Sequence, residues 1–309
     1  MDRVEEAARV IDPVFRDTPQ FLSEPISDSL GVQVVLKVEC VNPIRSFKGR
    51  GADYLLFRLA PDSGGLVCAS AGNFGQGMAY ACRKRGRRLT VYAAGSANPL
   101  KLERMRALGA EVVVEGADFD AAKDSARRHA ERTGEQYVED GLMAPVTEGA
   151  ATIAIELSRM GDPLDAIFIP LGNGALANGV GTWFKHFSPR TKVVAVSAAG
   201  APAMQRSWQE GRPVSAPITT IADGIAVRVP VPEALQILRG AVDEVMLVSD
   251  ADMLAAMKLL FTRAGLVVEP AGAAGMAAIM QRAGDMKSLR VATPLCGGNL
   301  TDQQLRDWL

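Results

Sequence analysis

The chain has 309 residues, a mass of 32.8 kDa and a formal net charge of −1, with 48% hydrophobic and 22% charged residues. This is ordinary globular composition with enough apolar mass for a sizeable core, and it lacks the basic excess of a dedicated nucleic-acid binder. Its four cysteines, Cys40, Cys68, Cys82 and Cys296, show no C-x-x-C spacing. That excludes a zinc ribbon or a thioredoxin-type motif and points to buried reduced thiols in a cytosolic protein.

In chain order, the opening MDRVEEAARV is charged and has no apolar segment of signal-peptide type. Strands are predicted at VQVVLKV (32–38), LVCAS (66–70), LTVYAA (89–94) and AEVVVEG (110–116). Further strands are predicted at AIFIPLG (166–172), KVVAVSA (192–198), DEVMLVS (243–249) and LRVATPLC (289–296). All are apolar throughout rather than alternating, which suits strands buried on both faces. Helices are predicted at NPLKLERMRALG (98–109) and DADMLAAMKLLFTRAG (250–265), each ending at a glycine, and GRPVSAPITT (211–220) reads as a loop. Strand–helix alternation predicts an α/β fold with parallel sheets and helices on both faces. No stretch approaches about 20 uninterrupted apolar residues, so no membrane span and a cytoplasmic location are expected.

In open α/β sheets, ligands bind beyond the carboxyl ends of the strands, where glycine-bearing loops enter helices. Four such places carry chemistry. In NPIRSFKGRGAD (42–53), Lys48 lies between Arg45 and Arg50, one of only nine lysines. Flanking cations and burial would favour a free amine able to attack a carbonyl; the plainer reading is a solvated loop. In LVCASAGNFGQG (66–77), Ser, Asn, Gln and bared amides make a neutral pocket for a carboxylate or a ring hydroxyl, or a simple helix cap. In IPLGNGALANGVG (169–181), Gly172-Asn173-Gly174-Ala175-Leu176 leads into a helix, with no Lys or Arg from Ile169 to Phe184. An anion there would be held by amides and the helix dipole; the alternative is tight strand–helix packing. In ATPLCGGNL (292–300), Cys296 ends the last strand, either a weak hydrogen-bond partner for a ring nitrogen or a small buried hydrophobe. His129 and His186 both sit in helix-surface surroundings, which argues against a histidine-based hydrolase. One ligand satisfies all four places at once: pyridoxal phosphate joined to lysine as a Schiff base and meeting an amino acid.

These segments, in this order, resemble the fold-type II pyridoxal-phosphate enzymes, whose architecture is that of the tryptophan synthase β-subunit. Their serine/threonine dehydratase branch is the most similar. SFKGRGA resembles the family's Schiff-base lysine motif, SAGNFGQG its asparagine loop and GNGAL its tetraglycine phosphate loop; TIADGIAV (220–227), VVEPAGAAG (267–275) and CGGN (296–299) match as well. The resemblance implies that Lys48 holds the cofactor and then removes the substrate Cα proton. It implies that Asn73 meets the ring hydroxyl, that Gly172, Asn173, Gly174, Ala175 and Leu176 bind the phosphate, and that Cys296 faces the ring nitrogen. Gly224 would lie against the cofactor and Glu269 near its ring, while Ser70, Gly72, Asn73 and Phe74 would hold the substrate carboxylate. The implied activity is α,β-elimination from a β-hydroxy amino acid, threonine or serine first, giving a 2-oxo acid and ammonia. In that scheme the cofactor phosphate serves as acid for the departing hydroxyl.

The resemblance also implies two α/β lobes, a large one from residues 1–49 and 143–309 and a small mobile one from 50–142, assembled as a homodimer. Three departures refine it. Ala71 stands where serine racemases carry a proton-donating serine, so elimination without efficient racemisation is expected. The stretch 193–204 has no acid, so no divalent metal is expected there. Phe74 replaces the usual histidine, which bears on the substrate side chain. With nine residues after Leu300, no C-terminal regulatory domain and no feedback inhibition by isoleucine are expected. Two competing readings are a replacement enzyme of the threonine synthase or cysteine synthase type, suggested by ANPLKLERMRALGAEVV, and a non-catalytic binding relative, which the intact Lys48 opposes.

Overall fold

A computed structural model describes residues 1–60 and 64–309. Its strands are β1 (Gln20–Leu22), β2 (Gln33–Val38), β3 (Leu66–Ala69), β4 (Leu89–Ala93), β5 (Glu111–Val114), β6 (Gln136–Val138), β7 (Ala166–Pro170), β8 (Lys192–Ala198), β9 (Glu244–Val248) and β10 (Arg290–Leu295). They form two sheets, one of six strands in the order β1-β2-β10-β7-β8-β9 and one of four in the order β5-β4-β3-β6. Every pairing is parallel except that of β1 with β2.

All eight predicted strands are present within a residue or two of their expected ends. β1 and β6 are the additions; each has three residues, too few for a hydrophobic pattern to show. The expectation of burial on both faces fails at β5, whose residues are half-buried or exposed. It is the edge of the smaller sheet and has a neighbour on one side only.

The continuous apolar runs build two layers at once. On β7 and β8, Ile167, Ile169, Val193 and Ala195 join one cluster with Ile153, Val180 and Trp183. The intervening Phe168, Val194 and Val196 join a second with Met257, Ala274 and Ile279. Alternate side chains of a strand leave on opposite faces, so a strand covered by helices on both sides must be apolar at every position. The smaller sheet repeats this, with Leu66, Cys68, Val91 and Ala93 on one face and Val67, Ala69 and Tyr92 on the other.

Helix Lys48–Arg58 runs between the two sheets, packed on helices Asn73–Lys84 and Ala144–Ser158. The glycines of its motif permit very close packing. A Cβ on Gly51 would stand 2.5 Å from the Val146 carbonyl oxygen, and one on Gly149 would stand 2.6 Å from that of Arg50. Behind this helix lies an ion cluster removed from solvent. Arg50 donates from Nε and Nη2 to Glu39 (both 2.8 Å) and from Nη1 and Nη2 to Glu156 (2.6 and 2.9 Å). Lys37 Nζ donates to Glu156 Oε2 and to the Thr18 carbonyl (2.7 Å). Two cations thus meet two carboxylates. Arg50, expected beside the Lys48 amine, is instead taken up by this cluster on the other side of the helix.

A charge left unpaired in such a place costs far more than a surface pair gains. Replacing Arg50 with Met is expected to cost about 3–5 kcal/mol of unfolding free energy. Urea unfolding monitored by circular dichroism checks this through the midpoint.

Candidate active site

The turn Asn42–Phe47 delivers Lys48 to the first position of its helix. Asn42 organises that turn, donating from Nδ2 to the carbonyls of Glu39 (2.9 Å) and Ser46 (3.0 Å) while its Oδ1 accepts from the amides of Ile44 and Ser46 (both 3.2 Å). Ser46 bridges to Gly297, so the lysine turn and the CGGN segment are stitched together. Lys48 Nζ lies 4.8 Å from the Phe47 ring centroid and 5.8 Å from that of Phe74. Its hydrogen bond goes to Asp140 Oδ2 at 2.6 Å.

Beyond β3, residues 70–72 turn into helix Asn73–Lys84. Ser70 Oγ accepts from the amides of Gly75 (2.8 Å) and Gly72 (3.2 Å), so its hydroxyl is engaged inside the loop. The amides of Ala71, Asn73 and Phe74 donate to no acceptor among the described residues. The Asn73 side chain donates from Nδ2 to Glu269 Oε1 (2.6 Å) and accepts at Oδ1 from Asn299 Nδ2 (2.8 Å).

Glu269 caps the start of helix Pro270–Arg282 and is 1% exposed. It also accepts from the Asn299 amide (3.0 Å) and lies 3.6 Å from Lys101 Nζ. Burial pushes its carboxyl upward, the nearby Lys101 ammonium notwithstanding. For Lys101 burial acts to lower the value, but the charges of Glu269 and Asp223 outweigh it and hold the ammonium above its usual range. Lys101 Nζ donates to Asp223 Oδ2 at 2.7 Å, tying the helix Pro99–Ala107 of the four-stranded unit to the segment that carries Gly224. Gly224 lies against Glu269 and the glycine loop: a Cβ on it would stand 3.5 Å from Glu269 Oε1, and a Cβ on Gly172 would stand 2.9 Å from the Gly224 carbonyl oxygen. Cys296 is buried; its Sγ sits 3.7 Å from the Ala271 carbonyl oxygen, and burial first, then the charge of Glu269, pushes the thiol well above its ordinary range. It stays protonated.

The loop after β7 enters helix Ala175–Phe187 through Gly174, whose φ of +101° is open to glycine and strained for a residue with a Cβ. The amides of residues 172–177 donate to no acceptor among the described residues, and no cationic side chain stands in this stretch. A row of free N–H groups at the positive end of a 13-residue helix is suited to an anion held by backbone alone.

The structure therefore brings Lys48, the asparagine loop, the glycine loop, Gly224, Glu269 and Cys296 to one cleft between the two sheets. It adds three residues that the sequence did not single out: Asp140, Lys101 and Asp223. Lys101 and Asp223 lie in segments quoted above for other reasons, and Asp140 follows a three-residue strand; no local pattern shows that any of the three meets its partner.

A family model described as "pyridoxal-phosphate dependent enzyme" matches residues 11–297, and the chain belongs to that family. L-threonine ammonia-lyase of Thermotoga maritima is 33% identical over 303 residues, covering 97% of this chain and 75% of that protein. The chloroplastic biosynthetic threonine dehydratase of Arabidopsis thaliana is 33% identical over 297 residues, 94% of this chain, and the chain spans about half (50%) of its length. The solved structure of the processed form of threonine deaminase isoform 2 from Solanum lycopersicum superposes with a TM-score of 0.91 at 30% identity, covering 99% of this chain and 92% of that one. The dehydratase-like resemblance and the fold-type II architecture read from the sequence are thereby borne out.

The residues present fit the cofactor. A primary amine stands at this site, the amides of 172–177 are unpartnered among the described residues with no cation in that stretch, and a protonated thiol and the Asn73 amide stand near the buried Glu269 carboxyl. Replacing Gly174 with Val forces a β-branched residue to positive φ, at a cost of about 1–3 kcal/mol. The expected result is roughly tenfold or weaker retention of pyridoxal phosphate, read as visible absorbance remaining after dialysis.

Proposed function

We propose that this chain is an ammonia-lyase acting on β-hydroxy amino acids, threonine first and serine second, and releasing a 2-oxo acid and ammonia. The observation that carries this reading is that the Lys48 amine and two arrays of unpartnered amides, at 71–74 and 172–177, are gathered between the two sheets, with no histidine bonded to these groups among the described residues. Pyridoxal phosphate, when bound, supplies a Schiff-base linkage to amines and an electron sink for the substrate Cα. The amides of Asn73 and Phe74, at a helix N-terminus, hold the substrate carboxylate, and Ser70 shapes that loop from within. Asn73 meets the ring hydroxyl, and residues 172–176 grip the phosphate. Gly224 and Glu269 line the ring, and Cys296 offers its nitrogen an uncharged partner. Lys48 Nζ would hold the cofactor and, when free, would be the base that removes the Cα proton. Phe47 and Phe74 keep water from it. Net loss of the Cα proton and the β-hydroxyl as one water would leave an enamine, which one water would convert to the 2-oxo acid and ammonia.

We assign residues 50–142 as a lobe that closes on the cleft, with Lys101–Asp223 and Asn73–Glu269 as contacts made across it. A homodimer in the cytoplasm follows from the family resemblance; among the described residues no helix is long and apolar enough to cross a membrane.

A panel of threonine, serine, hydroxyaspartate, phenylserine and diaminopropionate, assayed for oxo acid and ammonia, tests the substrate class. Threonine or serine is expected to turn over fastest. Release of little oxo acid unless a second nucleophile is supplied would instead mark a replacement enzyme. Lys48→Ala is expected to lower turnover by about 10²–10⁴-fold or more and to remove the visible absorbance of the linked cofactor.

Ala71 has no side-chain proton to give on its face of the cleft. Inversion of L-serine to D-serine is expected to be negligible beside elimination, and to rise in Ala71→Ser, as followed by chiral chromatography. Fast inversion by the unaltered protein contradicts this assignment.

A further inference from the structure

We propose that Asp140 is the positioning residue for the Lys48 amine: its Oδ2 holds Nζ in the cleft whenever that nitrogen is free, and steadies the ammonium once Nζ has taken a proton. The inference rests on the reading of Lys48 as cofactor-bearing base and deepens it.

Four observations carry it. Asp140 Oδ2 stands 2.6 Å from Lys48 Nζ, and both side chains are only 14% exposed. Among the described residues Nζ makes no other hydrogen bond, and the ring centroids of Phe47 and Phe74 stand 4.8 and 5.8 Å from it. Asp140 Oδ1 is buried and has no hydrogen-bond partner among the described residues. A buried carboxylate with half its acceptors unmet is a poor choice for stability alone, and such a group calls for another explanation. Lastly, its backbone is held in place. Gly141 follows at φ +89°, and a Cβ there would stand 2.7 Å from the Asn173 carbonyl oxygen. The backbone of Gly141, next in the chain to Asp140, is therefore packed against the glycine loop at Asn173, and the turn that carries the carboxylate is held there.

The charges around the pair do not compete for Nζ. Glu139 turns the other way, to Arg127 (2.8 Å) and Lys123. Glu269 is taken by Asn73, Asn299 and Lys101. The remaining titratable neighbours, Cys68 and Cys296, are buried thiols pushed upward chiefly by burial.

The proton step balances simply. The Nζ lone pair forms the new N–H bond, the electron pair of the Cα–H bond stays on the substrate carbon, and the positive charge gained by nitrogen lies against an existing carboxylate. A group acting only on free Nζ affects the chemical step and the capture of cofactor, not the binding of the substrate carboxylate.

The test compares Asp140→Asn and Asp140→Glu with the unaltered holoenzyme. For Asn, kcat is expected to fall about 10- to 100-fold, the scale of one charged hydrogen bond, with KM changed less than about threefold. Uptake of pyridoxal phosphate by the cofactor-stripped Asn variant, followed by visible absorbance, is expected to slow about tenfold. Glu, which keeps the charge, is expected to recover at least part of both rates. Thermal unfolding of the stripped Asn variant is expected at an unchanged or higher temperature. Borohydride reduction and peptide mapping locate the cofactor in each protein. Label on Lys48 throughout, with an unchanged kcat and uptake rate in Asn, overturns the role of Asp140 alone. A lowered unfolding temperature, or failure of the Asn variant to fold, makes Asp140 a structural residue and overturns it as well. Label absent from Lys48 in the unaltered enzyme removes the reading of Lys48 and this inference with it.

Discussion

Four ionised groups are sealed inside this protein, and the helix that starts at Lys48 sits where their charges cancel. Arg50 lies two residues beyond the lysine and reaches both Glu39 and Glu156, while Lys37 completes the balance. Burying any one of these charges alone costs several kcal/mol, and their mutual attraction offsets that only at short range and good geometry. The cluster therefore tolerates little displacement, and a helix turn anchored by it can hold an amine in the cleft on its opposite side. Glycines at 51 and 149 let the flanking helix come close enough for Glu156 to reach Arg50 at all.

The cleft itself follows a different logic. Backbone N–H groups stand unpartnered at two helix starts, where small residues leave the amides bare and the dipole supplies a positive potential that suits anions. The cleft's charged side chains are arranged in a pair, Lys48 with Asp140, and a triad, Lys101 with Asp223 and Glu269. Neutral donors can grip a phosphate and a carboxylate without a mobile cation that would also bind the wrong anion or pair with the base. The carboxylates then govern where the two lysines point. Lys101 links the four-stranded unit to the six-stranded one, so the electrostatics of the cleft depend on how the two units sit together.

Much of the fold was legible because its information is local. Strands covered on both faces must be apolar at each position, and eight such runs stand out between glycine-terminated helices. The two strands missed have three residues each, and β1 runs antiparallel at a sheet edge, where neither length nor pattern gives a signal. β5 reads like its neighbours in sequence and yet lies half exposed, since an edge strand is told from a central one by what pairs with it and not by its own residues. The candidate residues that the structure gathers, Lys48, Asn73, the 172–176 loop, Glu269 and Cys296, could be picked out beforehand because each lies in or beside a short segment of distinctive small-residue composition.

The amino-acid order alone determined the alternation of strands and helices, the glycine loops at strand ends and the amine among them, since each depends on residues within a dozen positions. Only the tertiary structure decided which charges face one another. It turned Arg50 away from Lys48 toward Glu39 and Glu156, and it brought Asp140, 92 residues away, to within hydrogen-bonding distance of Lys48. Ion pairs between distant segments are set by how sheets and helices pack, and side-chain charge carries no mark in sequence of the partner it will meet.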